Sequence, residues 1–245
     1  FEIQDYEDSN VLLFDAEGEI EERWEISGKA WFIFVKNKVA FVGLSGRNGY
    51  GELRIGSSAK YIELENDGSI IAGDYSKMDE VCLGHSNGGI TIFNGNKIDS
   101  FFYDQQIKSV LTDGGWIASF ESGEIVSNRK LGDWQINVSG IIDFISFGPS
   151  LNENNTIWSS VWNDCSKLKI INEITGMIEL EMEHGQRIVK IHIHDEIIAL
   201  GDIEGKILIL ETKVVKNRID NQGEDGNNAE KRALVRNKIE KLLRD

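Results

Sequence analysis

Residues 197–212, IIALGDIEGKILILET, carry the pattern that decides the fold of this chain. Two apolar runs, 197–201 and 206–210, flank the turn Asp202–Gly205, and this arrangement predicts a β-hairpin. Similar apolar runs reach a polar or glycine-rich turn throughout the chain, about 35 to 43 residues apart, which indicates a repeat fold. These earlier runs are 10–15, 52–55, 89–94, 123–126 and 167–172.

Each repeat contains four short strands joined by tight turns, as one antiparallel sheet requires. In the last repeat, strands are predicted at 177–183, 188–193, 197–201 and 206–210. One such sheet cannot bury both of its faces, so the sheets must pack face to face around an axis. We therefore predict an all-β β-propeller spanning 1–215. Its predicted parts are a partial blade at 1–18 and five complete four-stranded blades at 19–58, 59–96, 97–130, 131–174 and 175–212.

Small residues recur in the third strand of each predicted repeat, where neighbouring sheets are expected to approach closely. They are Gly43, Gly84, Ala118, Ser159 and Ala199. The strand count leaves the ring incomplete, because residues 1–15 supply only two strands of a further blade. Either upstream sequence completes the ring, or the ring closes imperfectly and leaves a sheet edge exposed. We favour a fragment of a six- or seven-bladed ring.

The last repeat resembles a WD repeat. Residues 171–176 (INEITG) stand where that family has Trp-Asp followed by Thr-Gly, His184 precedes the inner strand, and 198–202 (IALGD) form the small-residue strand with its Asp turn. No Trp-Asp pair occurs in the chain, and Phe14-Asp15 and Phe93-Asn94 occupy that position in degraded form. The resemblance implies a WD-repeat propeller or, equally, a quinoprotein-like one. It does not carry over the family's internal His-Asp-Ser-Trp network.

Composition and charge limit the kinds of molecule that the chain is expected to bind. The chain has 245 residues, 40% of them apolar, and a net charge of −15. This is enough for one large domain, and the acidic surface argues against nucleic acid and anionic membranes. The N-terminus has no signal-peptide pattern, which favours the cytoplasm, although the chain begins at Phe1 and secretion stays open. Cys82 and Cys165 lack the spacing of a metal site and favour a reducing compartment.

The tail differs in character from the repeats. Residues 216–228 are polar and predict a flexible linker. Residues 229–245 predict a basic amphipathic helix, with Val235, Ile239 and Leu242 at helical spacing. This helix is either a partner-binding element or a frayed terminus or the start of a further domain.

The sequence carries no catalytic constellation. No Gly-x-Ser-x-Gly motif occurs, and His192 and His194 share a strand face without a third ligand, so we predict no metal and no cofactor. In the loop 45–51, Arg47 and Tyr50 are of the residue types enriched at binding hot spots and are predicted to contact a partner. The tryptophans of four predicted strands are expected to pack between blades; they are Trp24, Trp134, Trp158 and Trp162.

These observations favour a non-catalytic scaffold that presents blade loops to partner proteins. That expectation rests on the analogy between folds. The alternative is a propeller enzyme or small-ligand binder that uses the central channel, as quinoprotein or lyase propellers do. Converging titratable groups in a channel pocket would favour the alternative, and an apolar or charged surface patch would favour the scaffold.

Overall fold

The computed structural model describes residues 8–36, 38–45, 49–66, 68–76, 79–93, 97–151, 154–194 and 196–218. The described strands form six antiparallel sheets that follow one another in chain order. A partial sheet pairs β1 (Ser9–Phe14) with β2 (Ile20–Ile26), and five blades follow it. A short helix, α1 (residues 212–218), follows the last strand. The predicted all-β propeller is confirmed.

Each blade is a meander in which the first strand is innermost. Blade 1 contains β3 (Lys29–Lys36), β4 (Val39–Ser45), β5 (Gly49–Arg54) and β6 (Lys60–Glu63). Blade 2 contains β7 (Ile70–Tyr75), β8 (Val81–His85), β9 (Gly89–Phe93) and β10 (Ile98–Phe102). Blade 3 contains β11 (Ile107–Thr112), β12 (Gly115–Phe120), β13 (Glu124–Arg129) and β14 (Gly132–Asn137). Blade 4 contains β15 (Ile141–Leu151), β16 (Asn154–Asn163), β17 (Cys165–Asn172) and β18 (Ile178–His184). Blade 5 contains β19 (Ile188–His194), β20 (Ile197–Asp202) and β21 (Ile207–Glu211).

The predicted blade boundaries are displaced by one strand. The strand predicted to open the blade 19–58 is β2, which pairs with β1 instead, and that blade's sheet begins at β3. The same displacement recurs in every later blade, so the last sheet has three described strands and the partial sheet has two. The predicted linker is also shortened, because residues 216–218 belong to α1. The helix predicted at 229–245 lies outside the described residues.

Each inner strand has a bulge near its start, and this bulge marks equivalent positions in the five blades. The register shifts between Ala30 and Phe32, and equivalent shifts follow Ile70, Ile107, Ile142 and Ile188. The residue that pairs just after each shift lies on the second strand and is small in every blade. These residues are Gly43, Gly84, Ser119, Ser160 and Gly201. The predicted small-residue positions are therefore right for Gly43 and Gly84 and one or two residues out of register in the other three blades.

Tight turns with glycine join the second and third strands of blades 2, 3 and 5. The N–H of Gly88, Gly123 and Gly205 each donates to the carbonyl three residues earlier, at 3.1 Å. All three glycines have a positive φ of 80 to 84°, a conformation that favours glycine. In these three blades the N–H of the residue that follows the second strand also donates to the carbonyl of the residue just before the inner strand; these bonds join Ser86 to Ser69, Glu121 to Gln106 and Ile203 to Arg187.

Apolar clusters and ion pairs hold consecutive sheets together. Trp24 packs between the partial sheet and blade 1. Trp134 packs against the apolar cluster of blades 3 and 4, and Trp158 lies in that of blades 4 and 5. The predicted packing of these three tryptophans between sheets is confirmed. Trp162 is half-buried beneath the Arg187 guanidinium, 6.0 Å from its ring centre. Lys36 pairs with Asp74 at 2.7 Å between blades 1 and 2, and Arg129 forms a buried ion pair with Glu173 between blades 3 and 4.

Candidate functional site

The structure describes one of the five predicted partner-binding residues. Arg47, Val235, Ile239 and Leu242 lie outside the described residues. Tyr50 is described, and its predicted place in an exposed loop is wrong. It lies in β5 and is 1% exposed, with its ring packed against Phe41. Burial, and secondarily the Glu52 carboxylate, raise the pKa of its hydroxyl, so Tyr50 is an uncharged core residue.

Close approach at the small residues defines how two blades pack. A Cβ atom on Gly84 would lie 2.8 Å from Ile107 Cγ2 of blade 3, and one on Gly43 would lie 3.0 Å from Ile70 Cβ of blade 2. In blade 4 the equivalent residue is Ser160, whose hydroxyl donates to the Ile188 carbonyl of blade 5 at 3.0 Å. This position is therefore where the inner strand of the following blade is seated.

The equivalent position in blade 5 is uncovered. A Cβ atom on Gly201 would meet only Lys190 Cβ of its own sheet, at 3.9 Å. The same sheet face carries Ile207 directly beside Gly201, and Ile209 beside Ala199. We name this surface the last flank and define it as Ile197, Ala199, Gly201, Ile207 and Ile209. It has the composition of a blade-packing face and is open to solvent.

Strand β21 shows the contrast most clearly. Ile207, which pairs with Gly201, is 71% exposed. Its equivalents in the other blades are no more than 2% exposed; they are Tyr50, Ile90, Ile125 and Leu168. Leu208 and Ile209 are exposed too, so β21 presents apolar side chains on both faces. An apolar strand of this kind is typical of a sheet interior, whereas edge strands are usually short or charged.

The first sheets of the described chain carry a second open apolar surface. The partial sheet covers β4 and β5 of blade 1 through Trp24 and Ile26, but it leaves Ile33 and Val35 of the inner strand β3 exposed. Its own outward face exposes Phe14 beside Ile20. We name the exposed apolar residues of this surface the first flank; they are Leu12, Phe14, Ile20, Ile33 and Val35. Extensive packing among the described sheets joins only consecutive ones, so neither flank is covered by another described sheet.

A pocket lies at the end of the inner strands of blades 1 to 4. It has a volume of about 310 Å³ and is lined in part by Lys36, Thr112, Phe147 and Glu173. Its charged groups all lie in ion pairs: Lys36 bonds Asp74, Glu173 bonds Arg129, and the more exposed Asp113 lies 3.7 Å from Arg129. We call it the axial pocket. It is the place where a channel-binding small molecule would be held.

The histidines and cysteines in the described part of the chain do not form a cluster that could bind a metal. His192 and His194 are both exposed on β19, and the described residues bring no group of three His, Cys, Asp or Glu side chains together as a metal site. Cys82 and Cys165 are free thiols, and burial, with the Asp74 and Glu80 carboxylates, raises the pKa of Cys82. The described part of the chain contains no helix long and apolar enough to cross a membrane.

The comparisons with known proteins identify the fold and not a family. No family model and no curated protein matches the chain. The crystal structure of BBS1N in complex with ARL6DN, soaked with lead, is similar with a TM-score of 0.70 at 9% identity, over 84% of this chain and 73% of that one. The mercury-soaked crystal gives 0.67 at 9% identity, over 84% and 72%. The computationally designed Ika4 protein gives 0.50 at 16% identity, over 61% of this chain and 95% of that one.

Sequence reasoning missed the flank residues as functional candidates. The signal was present in Ile207–Leu210, four consecutive apolar residues that suit a strand buried on both faces. It was assigned as the fourth strand of a complete blade, because the displaced boundaries supplied that blade with four strands. In the structure the outer neighbour of β21 is absent from the described sheet.

Proposed function

We propose that this chain is a non-catalytic protein–protein interaction scaffold whose two flanks bind partner proteins. The observation that carries the proposal is the last flank, an apolar face built like the four buried blade-packing faces but open to solvent. Exposed apolar patches of this kind mark interaction surfaces. The scaffold needs neither a metal nor a cofactor.

Several further observations support this proposal. The structural neighbour BBS1N is in a complex with ARL6DN, which is consistent with protein binding by a propeller of this shape. The acidic charge disfavours nucleic acid as a direct partner, and the two free thiols support a cytoplasmic location.

The alternative is an enzyme or small-ligand binder that uses the axial pocket. Catalytic groups are expected to be unpaired or strongly perturbed and to converge on a pocket. The Lys36 ammonium and the Glu173 carboxylate are instead engaged in ion pairs that join neighbouring blades. Ion pairs of this kind hold neighbouring blades together and do not indicate catalytic groups. The exposed flanks therefore favour the scaffold function over catalysis in the axial pocket.

The experiment is quantitative affinity capture from the native source with three versions of the chain. Gly201→Arg places a long charged side chain where a partner would sit, and nothing in the protein is displaced because the site is open. Gly185→Arg is the matched control, since a Cβ there has no neighbour within 4 Å and the residue lies in an exposed turn. The melting temperatures of all three are measured in parallel.

We expect Gly201→Arg to lose a specific set of captured proteins that the wild type and Gly185→Arg retain. The melting temperatures should agree, because neither change touches a packed junction. Capture of the same proteins in the same amounts by all three versions would contradict a role for the last flank in binding.

A further inference from the structure

The hairpin formed by β1 and β2, residues 8–26, is strongly acidic. It contains seven acidic residues and a single basic one, Arg23. Two of the seven carboxylates are occupied, because Asp15 accepts the N–H of Glu19 at 2.8 Å and Glu22 accepts the N–H of Gly56 at 2.9 Å. The other five are exposed, and their side chains have no hydrogen bond or ion pair with any described residue; they are Asp8, Glu17, Glu19, Glu21 and Glu25. We name residues 8–26 the acidic hairpin.

Three apolar side chains of the first flank lie among these carboxylates. Phe14 and Ile20 pair directly across the two strands and are 52% and 57% exposed. Leu12 is exposed as well, and it shares the face of Phe14 because it lies two residues earlier on the same strand. An apolar patch bordered by unpaired carboxylates fits a segment that is apolar along one side and basic around it.

Residues 229–245 of this chain, which we name the tail, have that composition. The tail contains six basic and three acidic residues, so its charge is opposite to that of the acidic hairpin. Its apolar residues Val235, Ile239 and Leu242 recur at helical spacing and form one stripe on a helix. The tail therefore matches the acidic hairpin in both apolar pattern and charge.

The last flank fits the tail less well. On that face Lys190 lies opposite Gly201, and His192 lies opposite Ala199. Both side chains are exposed, so the last flank offers its apolar residues beside a like charge. Charge complementarity therefore selects the acidic hairpin as the surface for a basic segment.

The course of the chain favours the tail of the same molecule over any other basic segment. Helix α1 reaches Arg218, whose guanidinium lies 3.5 Å from the Met182 sulfur of blade 4. The ten residues 219–228 then precede the tail and span up to about 35 Å, and a helix over the tail adds about 25 Å. A compact body of this size has a radius of gyration of about 17 Å, so the tail can reach the hairpin. A short tether also gives the tail an effective concentration on the order of 1 mM.

We infer that the tail docks on the acidic hairpin of its own chain as a basic amphipathic helix, with its apolar stripe against Phe14 and Ile20. Attraction between the charges guides the docking, and burial of the apolar stripe supplies most of its free energy. The inference goes beyond the proposed scaffold function, because a docked tail covers part of the first flank and competes with a partner there.

The test is zero-length cross-linking of the full chain, with a carbodiimide that joins a lysine to a carboxylate in direct contact with it. Mass spectrometry then identifies links between the tail lysines and the hairpin carboxylates, at low and at high salt. The chain is used as an equal mixture of unlabelled and ¹⁵N-labelled molecules, which separates links within one chain from links between two copies.

Two matched pairs of variants locate the contact. In the tail, Ile239→Asp removes an apolar side chain from the stripe, and Asn237→Asp makes the same change of charge on the opposite side of the helix. In the hairpin, Phe14→Lys is compared with Phe102→Lys, since Phe102 is another exposed phenylalanine at the end of a strand. Melting temperatures are measured in parallel. If a hairpin variant melts lower than the wild type, the tail pair alone decides.

We expect links from Lys238 or Lys241 to the acidic hairpin within one chain, and fewer of them at high salt because exposed charges are screened. Ile239→Asp and Phe14→Lys should each lower the yield of these links about tenfold, because burial of a large apolar side chain is lost. Asn237→Asp and Phe102→Lys should leave most of the yield.

Three results would overturn the inference. The first is the absence of links between the tail and the acidic hairpin. The second is links that form between labelled and unlabelled molecules, which would identify a second copy as the occupant. The third is an equal loss from each variant and its matched control, which would mean that the contact has no defined apolar face. None of these readouts uses a captured partner, so the Gly201→Arg test of the scaffold proposal is unaffected by them.

Discussion

The second strands of blades 2 and 5 carry a glycine at the same place in the sheet, and the two glycines have opposite surroundings. Gly84 lies against Ile107 and Val110 of blade 3, so closely that a Cβ atom would be 2.8 and 3.1 Å from their methyl groups. Gly201 faces solvent. The comparison teaches that a small residue in this repeat marks where a neighbour is seated, and that blade 5 keeps such a seat without a described neighbour.

The largest expected effect concerns the buried ion pair of an interior junction. Arg129 and Glu173 have side chains 7% and 4% exposed, and they join blade 3 to blade 4. Glu173→Ala leaves the guanidinium buried beside Asp113 alone, and removing one partner of a buried pair costs about 3–5 kcal/mol. Urea unfolding of the variant measures this loss of stability.

Glu204→Ala is the matched change in blade 5. Glu204 pairs with Lys206 at 2.5 Å in an exposed turn, and such surface pairs contribute little to stability. We expect its unfolding curve to superimpose on that of the wild type. Equal losses for the two variants would remove the distinction between buried junctions and the open end of the propeller.

The second prediction tests the two glycines directly. Gly84→Val forces added methyl groups into Ile107 and Val110, and overpacking of this kind costs about 1–3 kcal/mol. Gly201→Val has open space and replaces a flexible residue with one that favours strands, so its stability should stay within about 1 kcal/mol of the wild type. Thermal unfolding of both variants gives the comparison. A large loss from Gly201→Val would show that the last flank is packed in the isolated chain.

The sequence was sufficient to predict the strands and the propeller, but not the strand at which each blade begins. Only Ser27 and Gly28 separate β2 from β3, a connection as short as that of a hairpin, yet these strands belong to different sheets. Turn length therefore cannot distinguish a step within a blade from a step between blades. A repeat period fixes the spacing between equivalent strands, but it does not show at which strand each blade begins.

Tyr50 was misplaced for a related reason. The glycines on either side of it predicted a loop, whereas Gly49 is needed because a side chain there would collide with the Ile62 carbonyl of the neighbouring strand. The open flanks were harder to foresee, because exposure depends on which strands are absent and not on any local pattern.

A smaller effect is expected from the contact between blades 4 and 5. Burial alone would raise the pKa of Asp202, but the His184 imidazole and the N–H groups of Lys206 and Glu204 hold it below its usual range. A carboxylate with a lowered pKa stabilises the fold above the pKa of the unfolded chain, and this stabilisation is lost as pH falls through the native pKa. Asp202→Asn should therefore melt lower than the wild type at pH 7, and the difference should shrink towards about pH 3. A difference that is constant across this range would show that its charge is irrelevant.

The smallest expected effect concerns what holds a fourth strand in place. In blade 4, Glu181 of β18 accepts hydrogen bonds from Lys169 at 2.8 Å and Lys167 at 2.9 Å, and these bonds lower the pKa of Glu181. The carboxylate is 36% exposed, so Glu181→Gln should cost no more than about 0.5 kcal/mol and less at high salt. In β21 the position of Lys169 is taken by Leu208, so a strand added there has no such ion pair. Urea unfolding at two salt concentrations measures this cost. A small cost in blade 4 would mean that backbone pairing and apolar contact suffice to hold a fourth strand. A cost of several kcal/mol would mean that fourth strands depend on a charge that blade 5 lacks.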